Sequence, residues 1–501
     1  MKHIIIQAGG IGSRMGNLTS AKPKSLIPIQ GKPILFHLID TNPDAIFYVI
    51  CDHLSDVLIK YSKKFRPNSN IKYIITKEKG TCSGILEAAS LIPEKESFII
   101  TWSDLVFLSE IKYPKLGPED ISIGVTNKEC SFECRWKADN GLLREEKNFE
   151  NGISGLFVVK DKSVLQDIPK FGSFTDYLES SKKSWSTFPI KNIIDVGTYS
   201  SFERYQSNNR YFNQVIIEND VVKKRAVVKE YEKLIHDEID WYSFIRNKGF
   251  DRVPAIISET PYTMTRLNGV NPFLKEPNQE LFSDIIKQIK RVHDLESSPC
   301  DVEEMREVYI NKTIKRVESV VDIIPLAKQR NITINGVERV NPFFDLKKLT
   351  DEIEKVLLKT EVAFGVIHGD CTFSNIISID NKCFFIDPRG YFGKKKYFGD
   401  PRYDWAKLYY SFFGNYDNIN AKHYFVSVNE NKIFFQIDEN GWESYKDIFF
   451  KSIPYSRREI DLLHILIWFS LCGYVVEDYS SIIIAFYKAV EMWDGYLKEY
   501  Q

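Results

Sequence analysis

The 501-residue sequence predicts an α/β chain of two domains, a doubly wound parallel sheet over residues 1–207 and a bilobal α+β domain over residues 208–501. Three observations lead there. Short β-branched runs alternate with amphipathic segments through the first 205 residues, the pattern of a sheet with helices on both faces. The polar run Gln206-Ser207-Asn208-Asn209-Arg210 then interrupts that alternation. Beyond it a compact strand-rich piece gives way to mainly helical text, and the total length exceeds what one hydrophobic core holds.

In order, strands are expected at residues 4–6, 46–51, 71–76 and 98–101, separated by helices at 34–40, 53–65 and 83–91. Ligands on such sheets bind where loops converge at the carboxyl ends of strands. The second domain opens with a small lobe, about 208–270, with strands at 214–218, 221–224 and 262–265 and a helix at 229–247. A large helical lobe, about 271–501, follows, interrupted by short strands and turns at 364–389. Residues 418–440 read as an inserted hairpin with alternating Phe and Ile.

Composition removes several classes of partner. Lys plus Arg total 67 and Asp plus Glu 68, a formal charge of −1, which argues against nucleic acid or an anionic membrane as partner. The first residues lack the apolar core of a secretory signal. The most apolar late stretch, 462–476, is broken by His464, Ser470 and Gly473, so a buried helix and a cytoplasmic protein are expected. Eight scattered cysteines include the close pair Cys130 and Cys134 but no second pair at zinc spacing, which points to reduced thiols.

After the first strand comes Ala8-Gly9-Gly10-Ile11-Gly12-Ser13-Arg14-Met15-Gly16, continuing to Lys22-Pro23-Lys24-Ser25. Glycines there let backbone N–H groups face a polyphosphate, and Arg14 with Lys24 adds positive charge. The run is neither a Walker A loop nor a good dinucleotide fingerprint. With this loop at the very N-terminus, the sequence resembles the nucleotidyltransferase superfamily of sugar-1-phosphate nucleotidyltransferases and bacterial CTP:phosphocholine cytidylyltransferase. Further segments fit in order: Lys79-Gly80-Thr81, Thr101-Trp102-Ser103-Asp104, Gly152-Ile153-Ser154-Gly155-Leu156-Phe157, and Asp195-Val196-Gly197-Thr198. The resemblance implies a Rossmann-like domain with an NTP, CTP or UTP, among Ala8, Gly9, Gly10, Gly12, Ser13, Gly80 and Thr81. It also implies Mg²⁺ on Asp104 and Asp195, with Arg14 and Lys24 at the phosphates. Gln7 stands where apolar residues are commoner in that family.

The strongest local motif is His368-Gly369-Asp370-Cys371-Thr372-Phe373-Ser374-Asn375, followed by Phe384-Phe385-Ile386-Asp387. Phosphoryl transfer needs an aspartate at the acceptor hydroxyl and an Asn–Asp pair for metal, and Asp370, Asn375 and Asp387 stand at that spacing. The motif resembles the aminoglycoside phosphotransferase and choline kinase family, which implies a protein-kinase-like fold, ATP and Mg²⁺. By the same resemblance Lys223 contacts ATP phosphates and pairs with Glu238. Lys224 is the alternative, because the strand register is open. Residues 262–267 would run into the hinge, and Arg210-Tyr211-Phe212-Asn213 stands where a phosphate-covering loop belongs, without glycines. His368, Asp400 and Asp404 read as loop anchors and caps, and 394–396 as a solvated charge run. Trp405, Tyr409, Trp468 and Tyr474 read as core rather than as a cage for a quaternary ammonium.

Together these motifs predict a bifunctional enzyme. The kinase phosphorylates a hydroxyl of a sugar or small alcohol with ATP. The nucleotidyltransferase then couples that phosphate to a nucleotide, releasing pyrophosphate and giving an NDP-activated precursor for surface polysaccharide. The alternatives are a choline or amino-alcohol kinase joined to a CTP:phosphoalcohol cytidylyltransferase, or a nucleotide-sensing protein with one inactive domain. Decay would remove catalytic groups, and all five of Asp104, Asp195, Asp370, Asn375 and Asp387 are present.

Overall fold

The computed structural model describes residues 2–76, 80–139, 141–205, 213–226, 229, 232–360 and 362–501. By its internal contacts the chain divides into two units, residues 1–207 with 477–479, and residues 208–476 with 480–501.

The first unit is built on seven strands: β1 (His3–Gln7), β2 (Ile46–Cys51), β3 (Ile71–Ile75), β4 (Phe98–Trp102), β5 (Ile121–Val125), β6 (Ile153–Val159) and β7 (Trp185–Pro189). Their order in the sheet is β7-β5-β6-β4-β1-β2-β3. Strands β3, β2, β1 and β4 run parallel, as their helix-bearing connections require. Strand β6 runs antiparallel to both β4 and β5, so the sheet is mixed and the expectation of an all-parallel sheet is corrected. The cause lies in the connection. The chain between β5 and β6 forms an antiparallel ribbon, Cys134–Asp139 with Leu142–Asn148, instead of a crossover helix.

Ile4, Ile5 and Ile6 are fully buried, as befits a central strand covered on both faces. One core gathers Ile5, Ile50, Ile85, Ile100, Phe157 and Phe174, and another gathers Met15, Ile27, Ile34, Val106, Val196 and Phe202. The second core ties the segment after the glycine loop to the chain around Asp195.

The second unit opens with an antiparallel sheet of β8 (Asn213–Glu218), β9 (Val221–Ala226), β10 (Ile256–Glu259) and β11 (Tyr262–Thr265), ordered β8-β9-β11-β10. The helix Glu232–Asn247 lies between β9 and β10 in sequence. Further helices follow, among them Gln279–His293, Pro401–Phe412 and Arg457–Cys472. Trp241, Phe282, Phe385, Trp405 and Phe412 share their core. The apolar stretch from 462 lies largely in the buried helix Arg457–Cys472, and among the described residues no helix is long and apolar enough to cross a membrane.

The expected hairpin near 418–440 has its strands at Tyr424–Asn429 and Lys432–Ile437. It joins a second hairpin, Asn331–Ile334 with Val337–Val340, which the mainly helical expectation missed. Asn335-Gly336 between those short strands, both at positive φ, is the turn signal that marks it.

Candidate active sites

In the first unit, the carboxyl ends of β1 and β4 present the glycine loop and Asp104 to a common space. Gly12 has φ +73°, and a Cβ there would stand 3.0 Å from Thr19 Cγ2 and 3.2 Å from Lys24 Cβ. Glycine therefore lets the loop close onto the lysine segment. Ala8 N–H donates to the Ile50 carbonyl at 3.0 Å, fixing the start of the loop against β2. A Cβ at Gly10 would meet no protein atom within 4 Å, so that position faces open space.

Lys24 and the two aspartates converge. Lys24 Nζ lies 2.7 Å from Asp104 Oδ2 and 3.3 Å from the Gly197 carbonyl oxygen. Gly197 N–H donates to Asp195 Oδ1 at 2.8 Å. Burial, and then the charge of Asp104, raise Asp195 to about 7 against the pull of the Gly197 hydrogen bond, Lys24 and Arg14. Asp104 Oδ1 is buried and has no hydrogen-bond partner among the described residues. Two half-buried carboxylates, one with an unsatisfied oxygen, beside the Lys24 ammonium fit a divalent metal ion with oxygen ligands.

Two cavities, of about 470 and 830 Å³, adjoin this centre and share Arg14, Trp102 and Asp104. Gln7, Gly9, Gly10, Gly12, Ser13, Gly80 and Thr81 line the smaller one, whereas Asp195 lines the larger. Gly80 has φ +103°, and a Cβ there would fall 2.4 Å from the Gly172 carbonyl oxygen. Lys79 lies outside the described residues. Trp102 packs directly on Gly155, where a Cβ would fall 2.2 Å from its ring. The sequence reading had not singled out Trp102 as part of the site, although its place beside Asp104 at the end of a strand is the available signal.

In the second unit, successive residues of β9 face opposite sides and only one lysine turns inward. Lys224 is buried, its Nζ 2.7 Å from Glu238 Oε1 and in contact with Asp387 Oδ1. Lys223 instead meets Glu218 on the exposed face at 2.6 Å. The assignment of Lys223 is thereby corrected to its alternative, since the pleat sends adjacent side chains to opposite faces. Burial opposes charge on Lys224, yet Asp387 and Glu238 hold its ammonium above the ordinary value. Tyr262 donates to Glu238 Oε1 at 3.3 Å.

The loop 368–375 is held by backbone contacts. His368 and Gly369 N–H groups donate to the Asp404 carboxylate at 2.9 and 2.7 Å. Asp370 N–H donates to His368 Nδ1 at 3.2 Å, which leaves Nε2 to donate to the Ile386 carbonyl at 3.0 Å. Burial lowers the His368 pKa, in keeping with a neutral ring that supports the loop. Asn375 Nδ2 donates to Asp370 Oδ2 and to its carbonyl, both at 3.0 Å. Ile386 N–H donates to the Asn375 carbonyl at 2.9 Å, which brings Asp387 alongside the loop. Asp387 holds φ +54°, uncommon for a non-glycine residue.

Asp400 caps the helix Pro401–Phe412, accepting from Arg402 N–H at 3.0 Å. The same helix delivers Lys407, whose Nζ is 2.9 Å from Asp370 Oδ1. Lys407 was not read from the sequence, although it stands one helical turn after Asp404 on the same face. Trp405, Tyr409 and Trp468 are buried in the core, but Tyr474 is 38% exposed beside Arg316, so the core reading is corrected for Tyr474. Residues 210–212 of the expected phosphate-covering loop, and the side chain of Asn213, lie outside the described residues.

Known proteins resemble the first unit in sequence. Residues 4–116 match the MobA-like NTP transferase domain family. The bifunctional protein GlmU of Methanococcus maripaludis is 34% identical over 217 residues, spanning 42% of this chain and 50% of that protein. The chain thus spans about half the length of that relative. Glucose-1-phosphate cytidylyltransferase of Salmonella typhi is 24% identical over 282 residues, 46% of this chain and 100% of that protein. Among solved structures, HddC from Yersinia pseudotuberculosis complexed with GMP-PN aligns at TM-score 0.35 and 23% identity, covering 41% of this chain and 98% of that one. CTP:phosphocholine cytidylyltransferase from Streptococcus pneumoniae aligns at TM-score 0.34 and 12% identity, covering 41% and 97%. Residues 4–116 of the first unit thus resemble MobA-like NTP transferase domains in sequence, and the likeness to GlmU extends beyond them.

Proposed function

We propose that the chain carries out two consecutive transfers, phosphorylation of an alcohol or sugar by ATP in the second unit and nucleotidylation of the resulting monoester in the first. One recurring arrangement carries the reading: each unit sets a buried lysine against carboxylates suited to phosphoryl chemistry, Lys24 on Asp104 near Asp195, and Lys224 between Glu238 and Asp387.

In the first unit, backbone N–H groups of residues 9–13 would receive the triphosphate, and Arg14 and Lys24 would balance its charge. An oxygen of the acceptor phosphate attacks the α-phosphorus, and pyrophosphate leaves with the bonding electrons. In the second unit, Lys224 would orient the ATP phosphates while Asp370 accepts the proton of the attacking hydroxyl. Mg²⁺, held by Asp104 and Asp195 in one unit and by Asn375 and Asp387 in the other, would screen the crowded phosphate charge when bound. The name of the Salmonella relative, a glucose-1-phosphate cytidylyltransferase, favours a sugar phosphate and CTP. The proposal takes UTP as the next nucleotide and a surface-polysaccharide precursor as the product. Both cosubstrates are cytosolic, which agrees with a cytoplasmic enzyme.

The test is a panel of NTPs crossed with phosphate monoesters, read by pyrophosphate release, beside a panel of alcohols with ATP, read by ADP. Turnover in each assay is expected. Silence in both would leave nucleotide sensing as the better account.

A further inference from the structure

Beside Asp370 the second unit opens a narrow cleft lined by Arg316, Arg389 and Lys407 together with Tyr403, Tyr410 and Tyr474. Among the described residues lining it, Asp370 is the only carboxylate, and Lys407 already meets one of its oxygens. Arg316 donates to the Ser470 carbonyl at 3.2 Å and hydroxyl at 3.1 Å, and lies over the Tyr474 ring, 5.4 Å from its centroid. Arg389 donates to the Tyr403 hydroxyl at 3.2 Å. Neither arginine pairs with a carboxylate among the described residues. Lys312, one turn before Arg316 on the helix Lys312–Glu318, lines an adjoining recess that shares Tyr403 and Ser470 with the cleft.

Three cations, Arg316, Arg389 and Lys407, therefore gather around one carboxylate in a half-buried place, with Lys312 beside them. Burial and the charges of Arg389, Arg316 and Lys407 push the Lys312 ammonium down to about 6. Although burial opposes it, Arg389 and Lys407 also hold the Tyr403 hydroxyl below its ordinary value. Like charges brought together with few counter-ions repel one another, and an anion entering the group would relieve that repulsion. A quaternary ammonium carries the same positive sign as these groups and would add to the repulsion. The aromatic rings there do not form an empty cage for it, since Arg316 already occupies the face of Tyr474.

We infer that the alcohol phosphorylated by the second unit carries an anionic group of its own, a carboxylate or a phosphate, seated among Arg316, Arg389 and Lys407 with its hydroxyl at Asp370, an assignment that rests on the kinase reading of this unit. In the transfer, the acceptor oxygen forms a bond to the γ-phosphorus of ATP. The bond from that phosphorus to the β–γ bridging oxygen breaks, ADP leaves with the electron pair, and the hydroxyl proton passes to Asp370. Arginine suits the anchoring role because its planar fork matches carboxylate and phosphate oxygens two at a time.

The test compares acceptors of one shape and different charge in the full-length protein with ATP: glucose, glucosamine, glucuronate and glucose 6-phosphate, with choline as the small ammonium alcohol. The expected result is that glucuronate or glucose 6-phosphate exceeds glucose in kcat/KM by about a hundredfold, as charge-assisted bonds allow, and exceeds the amines by more. The two acidic members separate a carboxylate acceptor from a phosphate one. Arg316→Gln should bring the acid-to-neutral ratio down by about tenfold or more, a readout that general loss of folded protein does not move. A preference for glucose, glucosamine or choline overturns the inference and leaves the kinase reading standing. ADP formation with none of the five, in protein whose melting temperature ATP and Mg²⁺ do not raise, overturns the kinase reading and the inference with it. If ATP and Mg²⁺ do raise it, absence of turnover with the two acids overturns the inference alone.

Discussion

Lys224 is 4% exposed in its side chain between Glu238 and Asp387, whereas Lys223, one residue earlier, is 38% exposed against Glu218. A charge held inside by two carboxylates is positioned to act on phosphate, and an exposed ion pair contributes little. Lys224→Met is expected to lower ATP consumption by about a hundredfold or more, as loss of an electrostatic stabiliser does. Lys223→Ala should stay within about twofold, since it removes only a solvent-exposed pair. ADP release at saturating ATP measures both, and equal losses would remove Lys224 from the ATP site. The sequence contained both lysines but not the register that separates them. Asp195 poses the same problem in electrostatic form. Its motif was legible, but its rise to about 7 depends on burial and on Asp104, a residue brought close only by the fold. Because ionised Asp195 is disfavoured in the folded state relative to the unfolded one, metal-free stability falls as pH rises from the ordinary carboxylate value towards 7, and the full penalty remains above that. Asp195→Asn lacks this titration. In EDTA the variant should melt above the wild type at pH 8, with the gap closing below about pH 4, where the unfolded carboxylate is also protonated. A gap that does not change with pH would contradict the assignment.

At the scale of elements, close backbone approach decides what periodicity cannot. Thr81 N–H donates to the Gly172 carbonyl at 2.8 Å, and Gly80 itself sits at φ +103° with no room for a Cβ. Gly80→Ala should destabilise the first unit by about 1–3 kcal/mol, the usual cost of a strained backbone position. It should also raise KM for the NTP, because Gly80 and Thr81 line the smaller cavity. Urea unfolding followed by Trp102-sensitive fluorescence, with parallel kinetics, measures both effects, and a neutral result would show that the contact yields freely. The apolar runs that became β1 to β4 were readable because each alternates with an amphipathic helix. The direction of β6 was not, since an apolar run buried along its whole length reads the same both ways. The short strands around Asn335-Gly336 were readable in principle from their turn, but four-residue strands carry too little periodicity to stand out among helices.

For the whole molecule, the partners named at each site, among the described residues, lie within its own unit. Asp104 meets Lys24 in the first unit, and Asp370 meets Lys407 and Asn375 in the second. Effects at sites with no shared partners combine independently. Asp104→Asn is therefore expected to cut pyrophosphate release by about a hundredfold or more while leaving ADP formation intact, and Asp370→Asn to do the reverse. The order of the two steps adds a stricter demand. Supplied with alcohol, ATP and NTP, either variant should fail to make the nucleotide-linked product. Supplied with the phosphate monoester in place of the alcohol, Asp370→Asn should recover full product formation, because its missing step has been bypassed. Asp104→Asn should not recover, since the monoester is the substrate of the step it lacks. Chromatography of the nucleotide products distinguishes these cases, and rescue of Asp104→Asn by the monoester would show that nucleotidyl transfer does not depend on that carboxylate.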